Sequence, residues 1–157
     1  MVASEQAGAD GLTRMVEVGA KAETEREAVA EAWLVTTSDA VAQLVVGTKK
    51  GSPMESAKLA GVIGVKQTPQ LLPHCHPIRL TGASVSVSPD PSGGRVRVEV
   101  TVRAVDRTGV EMEALTGAAV AALSLYDTAK AFDRAARIEG VRLLSKTGGK
   151  SGDYRAD

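Results

Sequence analysis

The chain has 157 residues, 43% of them hydrophobic and 24% charged, with a single Cys, a size at which one domain buries roughly two thirds of its unfolded surface and needs no metal or disulfide staple. One cysteine excludes an internal disulfide, the longest apolar runs fall short of the ~18 to 20 residues of a membrane span, and MVASEQAGADG lacks the basic start and apolar stretch of a secretion signal, so the chain reads as a soluble cytoplasmic protein. Lys+Arg and Asp+Glu balance at 19 each, and only 3% of residues are aromatic (Trp33, Tyr126, Phe132, Tyr154), which argues against nucleic acid and anionic lipid as partners and makes any anion site local.

Residues 1–12 are small, polar and without period, and read as a flexible terminus. Residues 13–157 read as a single domain. Met15, Val16 and Val18 suggest a short extended piece. Over 25–36, alternation sets Ala28, Ala30, Ala32 and Leu34 against Val29, Glu31, Trp33 and Val35, which favours a strand over the helical propensity of AETEREAVAEAW. Ser38 then stands as an N-cap before DAVAQLVV, with Val41, Leu44 and Val45 as a helical stripe ending at Gly47. A stronger helix start follows: Ser52 caps, Pro53 takes the first helical position and Glu55 completes a capping box. That helix is expected through Leu59, Val62, Ile63 and Lys66. Pro69, Pro73 and Pro77 then predict a loop over QTPQLLPHCHPI.

From Leu80 the pattern alternates strictly, Ala83, Val85 and Val87 against Ser84, Ser86 and Ser88. PDPSGG supplies a turn, and Arg95–Val105 continues with Val96, Val98, Val100 and Val102 inward, giving an antiparallel hairpin. VEMEALTGAAVAALSLYDTAKAF predicts a long helix, Val141–Ser145 a last strand after Gly140, and KTGGKSGDYRAD a mobile glycine-rich tail. The order is strand, helices, strand, strand, helix, strand. It predicts an α+β, ferredoxin-like (split βαβ) antiparallel sheet with helices packed on one face. That topology hosts many functions, so function has to come from sites.

Several constellations carry chemistry, each beside a plainer reading. GGKSG invites a phosphate-loop reading, but Leu144 stands where that motif needs its first glycine, and no helix follows. A flexible tail that orders over an anion through Lys146 and Lys150 fits better. His74, Cys75 and His76 are metal-ligand types in succession, yet neighbours diverge in direction and the chain has no further His or Cys; a loop placing one imidazole in a pocket is the better reading. Glu111 and Glu113 could serve only the helix dipole. Asp127 and Lys130, three apart, share one helix face and could be an ordinary surface ion pair. Lys49 and Lys50 lie in a glycine-flanked loop ahead of a helix N-terminus, where ammonium groups and free amides could receive phosphate. Glu113 and Asp127 lie on nearly the same helix face but about 21 Å apart along the axis. They cannot grip one small molecule within one subunit, so a site using both would be completed by a second copy of the chain.

Together these pieces resemble the cyclic pyranopterin monophosphate synthases, the MoaC family of molybdenum-cofactor biosynthesis. The resemblance runs from MVEVGAKAETEREAVAEA through KKG, AKLAGVIGVKQT and LLPHCHPI to DRTGVEMEALTGAAVAALSLYDTAKAF and VRLLSKTGGKSGD. It implies a ferredoxin-like subunit in a hexamer, a trimer of dimers, with active sites between subunits. It implies a phosphorus–oxygen lyase that turns 3',8-cyclo-7,8-dihydroguanosine 5'-triphosphate into cyclic pyranopterin monophosphate and pyrophosphate, with Mg²⁺ a candidate companion of the triphosphate. By position, Asp127 and Lys130 in YDTAKA and Lys50 in KKG match the family's catalytic groups. His76 with its neighbours His74 and Cys75, Met112 and Glu113 in VEME, and Lys146 with Lys150 in KTGGKSG match substrate-binding segments. Two departures stand out. Ser52-Pro53 replaces an acidic residue after KG, and His74 replaces an aliphatic residue before CHP, which puts the loop geometry at Lys50 and the pocket polarity at His76 in question. The competing readings are a binding module of the same topology, whether for RNA or a small ligand, and a zinc-dependent hydrolase built on His74-Cys75-His76.

Overall fold

Alternation decides the sheet. In a computed structural model, which describes residues 11–157, strand β1 (Thr24–Val35) buries Ala28, Ala30, Ala32 and Leu34 completely on one face. Helices α1 (Ser38–Val46) and α2 (Pro53–Leu71) follow, then the hairpin β2 (Leu80–Asp90) and β3 (Arg95–Asp106), helix α3 (Glu111–Ala129), and strands β4 (Arg137–Thr147) and β5 (Tyr154–Arg155). The sheet order is β2-β3-β1-β4-β5 and every neighbouring pair is antiparallel, the split βαβ arrangement expected. Val96, Val98, Val100 and Val102 of β3 are fully buried beside the β1 alanines. Each such valine is worth about 1.5 to 3 kcal/mol relative to exposure. Among the described residues, no helix is long and apolar enough to cross a membrane. The expected flexible terminus falls mostly on residues 1–10, outside the described residues, and residues 14–18 belong to no strand.

Both long helices cover the valine–alanine face. α3 turns Ala114, Gly117, Ala118, Ala121, Ala122, Leu125 and Ala129 inward, and these small side chains let α2 come close. A Cβ on Gly117 would stand 2.6 Å from Val65 Cγ2 and 3.1 Å from the Gly61 carbonyl oxygen. Gly117→Ala therefore gains about 1 kcal/mol of helix propensity but meets a backbone carbonyl that cannot retreat, an overpacking cost of about 1 to 3 kcal/mol. The expected result is a lower urea midpoint than wild type at matched protein concentration; an unchanged or higher midpoint would show that the helices can part. The opposite sheet face is polar: Glu31, only 4% exposed, accepts hydrogen bonds at 2.8 Å from both Arg97 and Arg142. Burial works to raise the Glu31 pKa, but those two hydrogen bonds and charges hold it below the ordinary value.

Five boundaries differ from expectation, each for a local reason. The first small helix is capped by Thr37 rather than Ser38, its hydroxyl accepting from the Ala40 N–H. α2 does not stop before Pro69 but runs to Leu71, since a proline in the last turn removes only one helical hydrogen bond and Leu72 N–H closes the helix on Thr68 O. The loop predicted over 67–78 thus begins at Leu72. α3 ends at Ala129, with Lys130 as its cap, short of Phe132. β4 passes straight through Gly140, where φ of +60° makes a bulge against Trp33 instead of an end. Finally, the segment read as a mobile tail holds a hairpin: Lys146 and Thr147 belong to β4, and Tyr154–Arg155 pair back onto Ser145 and Lys146.

Candidate active site

α3 works as a ruler with chemistry at both ends. At its N-terminus no side chain caps the helix. Glu113 is 3% exposed there, and burial pushes its carboxyl up to about 7, aided by the charge of Glu111 and opposed by a hydrogen bond from its own backbone N–H. Cys75, in the turn after α2, faces this group: burial raises its thiol pKa and the Glu113 charge raises it further. From the sheet, Lys146 Nζ pairs with Glu111 Oε1 at 3.0 Å and donates to Ser151 Oγ at 2.7 Å.

At the other end Lys130 Nζ donates to Asp127 Oδ1 at 2.7 Å. That hydrogen bond, the Lys130 charge and the charge of Lys50 together hold Asp127 below the usual carboxylate range. The same contact raises Lys130 above an ordinary lysine. Lys50 arrives from the loop between α1 and α2, where Thr48 and Gly51 bridge each other and Lys50 N–H donates to Thr48 Oγ1 at 3.1 Å. The Ser52-Pro53 departure makes a firm helix start there, Ser52 Oγ accepting from the Glu55 N–H with Pro53 buried behind it. Beside Asp127 and Lys130 lies an open hollow of about 530 Å³ walled by Val120, Leu123, Ser124 and Tyr126.

The structure therefore gathers the candidate residues into two groups. Asp127, Lys130 and Lys50 form one; Glu113 with Cys75, and Lys146 through its pair with Glu111, lie at the other end, with about 21 Å of unbroken helix between Glu113 and Asp127. His74 and His76 are half-buried beside Cys75, Met112 is 42% exposed, and Lys150 is exposed in the β4–β5 turn. Among the described residues no three His, Cys, Asp or Glu side chains converge as metal ligands, so His74, Cys75 and His76 do not come together as a three-donor site. Sequence reasoning gave Glu111 only a dipole role and overlooked Ser151. The Glu111–Lys146 pair joins residues far apart in sequence, and no local pattern signals it.

Residues 15–149 match the model of the MoaC family, a span that contains both groups. The chain belongs to the MoaC family. Curated relatives agree in length as well as sequence. The cyclic pyranopterin monophosphate synthase of Rhodospirillum rubrum is 49% identical over 96% of this chain and 96% of its own. Those of Chloroflexus aggregans and Deinococcus radiodurans are 46% and 50% identical, over 95% and 93% of this chain and 91% and 86% of theirs. The KKG, VEME, YDTAKA and KTGGKSG segments of this chain lie in the loop before α2, at the two ends of α3 and in the β4–β5 hairpin.

Proposed function

We propose that this MoaC-family chain is a cyclic pyranopterin monophosphate synthase, a lyase of molybdenum-cofactor biosynthesis. The substrate is 3',8-cyclo-7,8-dihydroguanosine 5'-triphosphate, and the products are cyclic pyranopterin monophosphate and pyrophosphate. The observation that carries the reading is the Asp127–Lys130 pair with Lys50 facing it, a carboxylate kept ionised beside two cations at the mouth of an open hollow. The chemistry demands such groups. Rearranging the purine-derived ring needs proton transfer, and closing the cyclic phosphate forms a new bond from a substrate oxygen to the α-phosphorus while the bond to pyrophosphate breaks. Asp127 serves as the general acid/base, entering as a base because its proton is already lost. Lys50 and Lys130 bind phosphate and assist the proton transfer, and Lys146 neutralises pyrophosphate as it leaves. His76 with its neighbours His74 and Cys75, Met112 and Glu113 line the substrate, and Lys150 adds charge near the phosphates. No cluster of three or more His, Cys, Asp or Glu stands ready for a metal among the described residues; Mg²⁺ would arrive with the triphosphate.

The two ends of α3 are too far apart for one small substrate, which supports a homo-oligomer with sites between subunits, a hexamer built as a trimer of dimers. A substrate derived from a nucleoside triphosphate supports a cytoplasmic setting. One experiment tests both. Assembled wild type should release pyrophosphate from the cyclic dihydro-GTP substrate, whereas Asp127→Ala and Lys146→Ala should each be nearly inactive alone. Co-assembled one to one, the two variants should regain about a quarter of wild-type activity, the share of sites that draw both intact halves from different chains. No release by wild type overturns the reaction, and no recovery on mixing overturns the shared site.

A further inference from the structure

We propose that Ser151 is a positioning residue that fixes the ammonium of Lys146 for the departing pyrophosphate; the inference rests on the placement of Lys146 in the active site. The register pairs Lys146 with the fully buried Ala28, which puts its side chain on the helix-bearing face of the sheet, beneath the start of α3. There Nζ lies 2.7 Å from Ser151 Oγ and 3.0 Å from Glu111 Oε1. Its side chain is 21% exposed, against 56% for Lys130. An ammonium has three N–H donors. Two are engaged by these partners and the third remains for an anion.

Ser151 does not owe its place to Lys146. The hairpin that returns it is set by backbone: Gly148, Gly149 and Gly152 turn at φ of +87°, +85° and +75°, a region that favours glycine. Gly148 N–H donates to Asp153 Oδ1 at 3.2 Å and Gly152 N–H to Gly149 O at 3.3 Å. The strand pair Lys146–Tyr154 closes the loop. A free lysine spreads over many rotamers, so a preset acceptor narrows where its charge can sit. The two partners differ in what happens when a polyanion arrives. The Glu111 carboxylate repels phosphate and competes with it for the ammonium, whereas a neutral hydroxyl keeps its hydrogen bond and leaves the positive charge whole. Ser151 is therefore the partner that can hold Lys146 throughout turnover.

Ser151 is exposed, so Ser151→Ala should fold and melt as wild type does. Its kcat for pyrophosphate release should fall about tenfold, the size of a lost hydrogen bond to a charged group, with KM changed by no more than about threefold. Ser151→Thr, which keeps the hydroxyl, should recover most of the loss. In a Lys146→Ala background, Ser151→Ala should cost nothing further. An unchanged kcat in Ser151→Ala overturns the inference, as does an equal loss with and without Lys146, or a lowered melting temperature that Thr does not restore. Full activity in Lys146→Ala alone would instead remove Lys146 from the site, a failure of the underlying assignment that is visible separately.

Discussion

Asp127→Asn should lower turnover by about two to four orders of magnitude, the range of a positioned proton-transfer group, while leaving the melting temperature and assembly size unchanged. The two halves of that expectation have separate grounds. Asp127 and Lys130 are largely exposed, with side chains 76% and 56% accessible, so their pair adds little to folding in water. Asparagine keeps the size of the side chain and an acceptor for Lys130 but cannot take a proton. Lys130 and Lys50 also set the pH at which Asp127 becomes a base. Because they hold its carboxyl below the ordinary value, the acid limb of kcat/KM should lie below the usual carboxylate range. Lys130→Gln removes the largest of those influences, so the acid limb should move to higher pH. Pyrophosphate release followed across pH, with thermal melts of each variant, checks both statements. Turnover of Asp127→Asn within a few-fold of wild type would remove Asp127 from proton transfer, and an acid limb unmoved in Lys130→Gln would show that another group sets it.

The sheet was the most legible part of the chain, because period-two alternation leaves β1 and β3 little choice: the alanines of β1 and the valines of β3 face the helices, and glutamates and arginines face away. What stayed hidden were places where a local rule gave way to context. Pro69 reads as a stop signal, yet it lies within the last turn of α2, where few helical bonds are left to break. Gly140 reads as a strand start, yet it bulges within β4. The glycines of 148–152 have the composition of a loose tail, and only the pairing of Tyr154 with Lys146 shows a hairpin. The site was legible in residue type and in distance. That Glu113 and Asp127 share a helix face but stand about 21 Å apart follows from helical rise alone. What did not follow is which partners each end acquires. Lys50 comes within electrostatic reach of Asp127, and Cys75 of Glu113, because α2 folds back along α3 and places its two flanking loops at opposite ends of that helix. Alternation and capping say nothing about that pairing.

The same separation sets up a second large effect, on stability. Glu113→Gln should leave the protein about as stable as wild type near pH 4.5 and more stable by up to about 3 kcal/mol per chain at pH 8, taking ~1.4 kcal/mol for each pK unit. The ordinary value for a glutamate is 4.5, and burial lifts Glu113 to about 7. Between those two pH values the unfolded chain has released this proton and the folded chain still holds it. The folded state then binds more protons, so stability declines as pH rises through that window and levels off above about 7. Glutamine has no proton to lose and removes this contribution, while other groups titrate alike in both proteins and cancel in the difference. Urea midpoints from pH 4.5 to 8 at one protein concentration measure it; parallel curves for the two proteins would mean that Glu113 ionises freely and its pocket is wetter than the structure shows. Glu111→Gln should shrink the difference, since it withdraws the like charge that helps raise Glu113. A functional consequence follows from comparing the two ends of α3. One helix carries two carboxyls whose environments push them in opposite directions, Glu113 up through burial and Asp127 down through Lys130 and Lys50. Environments that separate two carboxyls in this way assign them different tasks. In the proposed synthase, the protonated form of Glu113 would donate a hydrogen bond to the substrate without repelling its phosphates, and Asp127 would accept a proton from it.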